Sequence, residues 1–286
     1  MAMAVDAFYD EVELRVTNKQ GIEVKCVEGP YAREAGTCRT AIRALNAMVA
    51  DLGLDLGLEL KIYKGIPVAR GLGSSGATAA AAVLGLARLL ELDLDPSKLV
   101  LYAGIGEEEA AGAPHFDNVA ASLLGGLAIV SRLDGELKLA KIDLDCWVVL
   151  LVPTTSLPVK RKTEFMRSII PKSVPLSAVT KNLGRVAMMV YSALRNDVQL
   201  FAQMMRDELV EPARARYVPC YSEVKNAALD AGALGFALSG AGPTMLAIAE
   251  NQRQAQRIAT AMVRAYSHCG TARAIIARPA PPAHEV

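Results

Sequence analysis

The 286-residue chain carries 31 basic and 30 acidic side chains, a net charge of +1, and only 5% aromatic residues, which excludes the charged, stacking surface of a nucleic-acid binder. Hydrophobic residues make up 52%, enough for a large core, but no apolar run reaches the ~18 residues of a membrane span. Asp6, Asp10 and Glu11 near the start do not read as a signal peptide, so the expectation is a cytoplasmic protein acting on a small molecule.

Apolar and polar residues alternate over 12–16 and 22–25 around Asn18-Lys19-Gln20-Gly21, which predicts a hairpin of half-exposed strands. Residues 37–52 have helical spacing, and 56–63 return to strand alternation. An alanine-rich run over 77–90, with no charge before Arg88, predicts a helix buried on all sides. Residues 99–109 read as a helix ending in Glu107, Glu108 and Glu109, broken at 110–114, and 118–124 as another ending at Gly125-Gly126. Strands are expected at 127–130, 137–140 and 147–152, then partial loop over 154–175 and two helices across 179–210. Residues 236–238 and 245–249 flank Ser239-Gly240-Ala241-Gly242-Pro243-Thr244 as strands, with a helix over 252–267 and a last strand at 272–277.

Strands in runs, without strict alternation with helices, predict an α+β fold in two lobes. The expected division is 1–152, 153–278 and a disordered tail, 279–286. Cys26, Cys38, Cys146, Cys220 and Cys269 lie far apart with no C-x-x-C pair, and are expected as reduced, mostly buried thiols. Three histidines, His115, His268 and His284, are too few for a histidine metal cluster.

The chain's most specific stretch is Gly71-Leu72-Gly73-Ser74-Ser75-Gly76. Its glycines let backbone approach a ligand, the serines stand where a helix takes its N-cap, and the helix start that follows is an anion site. A dinucleotide loop would need an apolar strand before it and an acid about twenty residues on, and neither is clear. No Gly-Lys-Ser/Thr occurs, so a Walker loop is absent. A plain serine-capped turn remains the alternative to a third kind of phosphate loop.

Extended to Pro67-Val68-Ala69-Arg70-Gly71-Leu72-Gly73-Ser74-Ser75-Gly76-Ala77, the stretch resembles the second motif of the GHMP small-molecule kinases. Residues 107–118 with Gly125-Gly126, Thr163 to Arg167, Glu211-Pro212-Ala213-Arg214 and Leu238 to Thr244 narrow the resemblance to the homoserine kinase branch. The resemblance implies a two-lobed fold, with an N-terminal lobe like ribosomal protein S5 domain 2 and a ferredoxin-like C-terminal lobe. It implies ATP and Mg2+ as cofactors and homoserine as the acceptor, and a homodimer is kept open as the assembly.

By the same resemblance, Pro67, Arg70, Gly71, Leu72, Gly73, Ser74, Ser75 and Gly76 hold the phosphates, and Ser75, with Ser74 as its competitor, and Glu107 hold magnesium. Three adjacent glutamates at a helix end otherwise read as a solvated terminus, which is kept for Glu108 and Glu109. His115, Asn118, Arg167, Arg214 and Gly240 are expected to bind the acceptor, with Asn118, Thr163 and Arg167 in the catalytic group. His115, a lone histidine, is assigned to binding or loop support. Asn118 occupies the position where some relatives carry an aspartate base. An amide cannot take a proton, so transfer is expected to run on positioning and electrostatics, with Asp117 as the rival base. The serine-, asparagine- and glycine-rich first motif has no counterpart, and residues 4–12 resemble the segment that follows it, so the chain is expected to start beyond that motif. Arg33 or Glu34 stands where an asparagine is expected beside adenine. Two other readings stay open: a GHMP kinase for another alcohol, of shikimate or mevalonate type, and a nucleotide-binding remnant without turnover.

Overall fold

The structure, a computed structural model, describes residues 1–111, 115–154, 157 and 162–285. The chain forms two compact units, one of Met1–Val68, Gly73–Lys141 and Ala280–Val286, the other of Ala69–Leu72 and Ile142–Pro279.

The first unit contains β1 (Ala2–Met3), β2 (Asp10–Thr17), β3 (Gly21–Glu28), α1 (Ala32–Ala35), α2 (Arg39–Asp51), β4 (Gly57–Lys64), α3 (Ser74–Leu89), α4 (Pro96–Ala111), α5 (Phe116–Leu124), β5 (Leu127–Leu133) and β6 (Glu136–Ile142). The expected hairpin does not form. β2 and β3 both pair with β4, in the order β2-β4-β3, β2 antiparallel and β3 parallel to it. Burial accompanies this order: β2 and β3 are half-exposed, whereas β4 buries Leu58, Leu60 and Ile62 at 1% exposure or less, and the strand with the most deeply buried face takes the centre. Those side chains share a core with Ala44, Leu45 and Met48 of α2 and Val83 and Leu86 of α3. As expected for the alanine run, no residue of α3 before Arg88 is exposed. α4 runs on to Ala111, and the rest of the break expected at 110–114 lies outside the described residues.

The second unit contains β7 (Trp147–Pro153), α6 (Lys162–Ser168), α7 (Leu176–Leu194), α8 (Val198–Gln203), α9 (Glu211–Ala215), α10 (Tyr221–Asp230), β8 (Gly235–Leu238), β9 (Met245–Ala249), α11 (Gln252–Tyr266) and β10 (Ala272–Ala277). Its strands form one antiparallel sheet in the order β10-β7-β9-β8, the ferredoxin-like arrangement of first and third strands at the centre. Val149, Leu151, Met245 and Ala247 from the sheet pack with Ile258 and Met262 of α11.

Three further expectations are corrected. β7 belongs wholly to the second unit, which also takes Ala69–Leu72, so the division differs from one cut at 152/153. The start of the tail is docked, because Ala280 donates to the Ala4 carbonyl and accepts from the Gly126 amide. Cys220 and Cys269 form a disulfide that joins the N-cap of α10 to the turn after α11, so only Cys26, Cys38 and Cys146 are free thiols. Sequence distance hid this pair, since 49 residues separate two cysteines that the packing of α10 on α11 brings together. Burial pushes the Cys146 thiol up to about 11, which keeps it protonated and inert. Among the described residues no helix is long and apolar enough to cross a membrane.

Candidate active site

In the first unit the site is built on the start of α3. Its N-cap is Gly73, at φ 69°, and no side chain caps the first turn. The expected serine cap is therefore corrected: Ser74 is already helical and buried, and its hydroxyl donates to the Ile66 carbonyl. Left-handed backbone at the cap favours glycine over serine. The uncapped amides of that turn leave the helix start open to an anion. Ser75 is half-buried in this turn, and Pro67 is buried at the approach to the loop.

The turn is fixed from beneath by a buried pair that sequence reading passed over. Lys64, at the end of β4, pairs with Asp10 at the start of β2, with side chains 2% and 0% exposed. Lys64 also donates to the Ser74 carbonyl at 3.1 Å and to Thr78 Oγ1 at 2.6 Å. Asp10 accepts from the Gly65 and Ile66 amides, both at 3.0 Å. The available signal was parity: residue 64 falls on the inward face with Leu58, Leu60 and Ile62, where a lysine needs a partner.

Asn118 and Glu107 lie against the same turn. A Cβ built at Gly73 would lie 3.5 Å from Asn118 Cγ, and one at Gly76 would lie 3.4 Å from Asn118 Cβ and 3.7 Å from the Glu107 carboxyl carbon. Glu107 is 2% exposed, its Oε1 has no hydrogen-bond partner among the described residues, and its Oε2 stands 3.4 Å from His115 Nδ1. Glu108 is exposed, as a solvated helix end requires. Asp117 Oδ1 accepts from the Asn118 amide. Of these two neighbours, Asn118 is the one whose side chain lies on the glycines.

In the second unit, Arg70 is buried and donates to the Pro153 and Thr154 carbonyls, while half-buried Leu72 ends the segment. Gly71 has φ 82°, and a Cβ there would sit 2.2 Å from the Ser239 carbonyl oxygen, so this close approach of backbone admits only glycine. Ser239 Oγ donates to the Gly71 carbonyl at 2.8 Å, which ties the 239–244 loop to it. Arg214 donates to the Met166 carbonyl and, at 3.0 Å, to the Gly240 carbonyl. Burial and the charge of Arg167 lower its pKa. Thr163 and Arg167 are half-buried on α6.

Two residues here were missed. Glu211 accepts from the Tyr221 hydroxyl and from the Leu238 amide, which fixes the strand leading into the loop. Lys162, 8% exposed, donates to the Gly242 carbonyl at 2.6 Å. Nothing in Lys160-Arg161-Lys162 distinguishes the third basic residue from a solvated run. Thus the structure gathers Gly73, Ser74, Ser75, Gly76, Glu107, His115 and Asn118 in one unit, and Arg70, Gly71, Arg167, Arg214 and Gly240 in the other.

A helix start stripped of its own caps, with an orphaned buried carboxylate beside it, suits a triphosphate and its counter-ion, and basic side chains around a glycine loop suit a second anionic ligand. The class so defined is the small-molecule kinase. Residues 39–126 match the GHMP kinases N terminal domain and 189–268 the GHMP kinases C terminal domain. A homoserine kinase of Aeropyrum pernix is 43% identical across all of this chain and 92% of its own length, and one of Thermoplasma volcanium is 36% identical over 94% and 85%. The crystal structure of homoserine kinase from Cytophaga hutchinsonii superposes with a TM-score of 0.87 at 32% identity, covering 98% of this chain and 88% of that one. The chain belongs to the homoserine kinase family of the GHMP kinases.

Proposed function

We propose that the protein transfers the terminal phosphoryl group of ATP to the side-chain hydroxyl of L-homoserine, giving O-phospho-L-homoserine for threonine biosynthesis. The observation that carries the chemistry is Glu107, whose carboxyl group lies against the turn that begins α3 and whose buried Oε1 has no hydrogen-bond partner among the described residues. A buried carboxylate oxygen without a partner is costly, and a divalent cation satisfies it. Glu107 and the Ser75 hydroxyl would hold Mg2+, which supplies neutralisation of phosphate charge when bound.

The chain's own residues divide the remaining work. Amides of the first turn of α3 bind phosphate oxygens, and Lys64 with Asp10 keeps that turn in place. Arg167 and Arg214 grip the acceptor carboxylate, for which a guanidinium fork is suited, and Thr163 and His115 support its binding. Asn118 orients the hydroxyl without removing its proton, which passes to a phosphate oxygen as the new bond forms. Asp117, the rival base, is given no proton-transfer role; its Oδ1 accepts from the Asn118 amide and its Oδ2 lies 3.5 Å from the N-terminal ammonium.

ADP release measured over a panel of alcohols tests the assignment. L-homoserine is expected to give the highest kcat/KM, and preference for shikimate or mevalonate, or Mg-ATP binding without turnover of any alcohol, would overturn it. The protein is taken to act in the cytoplasm, and a homodimer, open to sedimentation analysis, is the assembly to test first.

A further inference from the structure

Lys162, at the start of α6, is a buried cation. The residue is 8% exposed, and the one hydrogen bond its ammonium makes among the described residues goes to a neutral acceptor, the Gly242 carbonyl. Among the described residues no carboxylate lies within ion-pair distance of it. The charged groups that face it are Arg214 of α9 and Arg70 of the loop before α3, and both are cations. Glu211, the acid of α9, is turned to Tyr221 and Leu238 instead. Arg214 holds a carbonyl of the same loop two residues away, at Gly240. Two cations therefore bracket one glycine loop. Burying a cation among cations is unfavourable and persists where an anion arrives to compensate.

We propose that Lys162 and Arg214 form an oxyanion-binding corner on the Ser239–Thr244 loop, with Lys162 as a substrate-contacting residue that turns from the Gly242 carbonyl onto the incoming anion. This deepens the kinase reading and rests on it. The anion is a carboxylate or a phosphate, brought by the amino-acid acceptor or by ATP. Burial first, then Arg214 and Arg70, push the ammonium down to about 8, so anion binding weakens as pH rises through that value.

The test compares wild type, Lys162→Met and Lys162→Arg in KM for each substrate, in the pH profile of kcat/KM and in thermal unfolding. Wild-type turnover of homoserine tests the kinase reading, and the ratios between variants and wild type test the corner. Lys162→Met is expected to raise one KM by roughly 10- to 100-fold, the worth of a hydrogen bond to a charged group. A rise for homoserine assigns the corner to the carboxylate, and a rise for ATP assigns it to a phosphate. Wild type should lose kcat/KM above about pH 8 while Lys162→Met shows no such limb. Lys162→Arg, which stays charged, should keep a KM nearer to wild type and also lose the limb. Removing the lysine should leave the melting temperature of the ligand-free protein unchanged or raise it. Both KM values within twofold of wild type, an unchanged basic limb in Lys162→Met, or a lower melting temperature with unchanged KM would each overturn the proposal.

Discussion

Lys64 and Lys162 are both nearly inaccessible to solvent, at 2% and 8% exposure, yet their surroundings differ in kind. Lys64 meets the Asp10 carboxylate, a hydroxyl and a carbonyl, and each of those is held in turn by backbone or by another member of the set. Lys162 meets one carbonyl and the field of two arginines. The first cluster is complete without a ligand and holds the phosphate turn rigid. In the second, no carboxylate among the described residues lies within ion-pair distance of the ammonium. Burial alone therefore does not separate a structural lysine from a functional one, whereas charge balance within the cluster does.

The largest expected contrast lies in stability. Lys64→Met strands the Asp10 carboxylate in the core and should destabilise the protein by about 3–5 kcal/mol, read from denaturant unfolding. Adding Asp10→Leu to Lys64→Met should recover most of that loss, and failure to recover it would show that the cluster acts through more than its charge. Next in size, reducing the Cys220–Cys269 disulfide should cost about 2–5 kcal/mol, measured with and without a dithiol reductant. Its failure to change stability would mean that α10 and α11 are held by packing alone.

A smaller and opposite effect belongs to Lys162. Its folded pKa, about 8, lies below the ordinary 10.5, so between these values the unfolded chain binds more protons than the native one. Stability from this group therefore rises with pH from about 8 to 10.5 and is absent below 8. Lys162→Met should remove that rise, on the order of 1–3 kcal/mol in a comparison of the two unfolding curves. If both proteins keep the same slope, the two lysines are not the contrasting pair their surroundings suggest.

Much of this was legible from the residues. Alternation and helical spacing placed most strands and helices, and the glycine stretch at 71–76 announced an anion site because glycine spacing is a local property. What stayed hidden was non-local. Two half-exposed strands joined by a turn read as a hairpin, and only competition for the centre of the sheet puts β4 between them. Gly73 displaces the serines as cap because the turn needs left-handed backbone, which residue type alone does not disclose. Glu107 could be singled out by resemblance, but its orphaned oxygen exists only once α3, α4 and α5 pack. Lys162 carried no mark, since its significance is that no carboxylate among the described residues pairs with it.

The most direct check on phosphoryl transfer to homoserine is 31P NMR of wild-type protein incubated with Mg-ATP and L-homoserine. The expected result is a phosphomonoester resonance coupled to the two methylene protons of the esterified carbon, growing in step with ADP. ADP accompanied only by inorganic phosphate, or no consumption of ATP, would contradict the assignment.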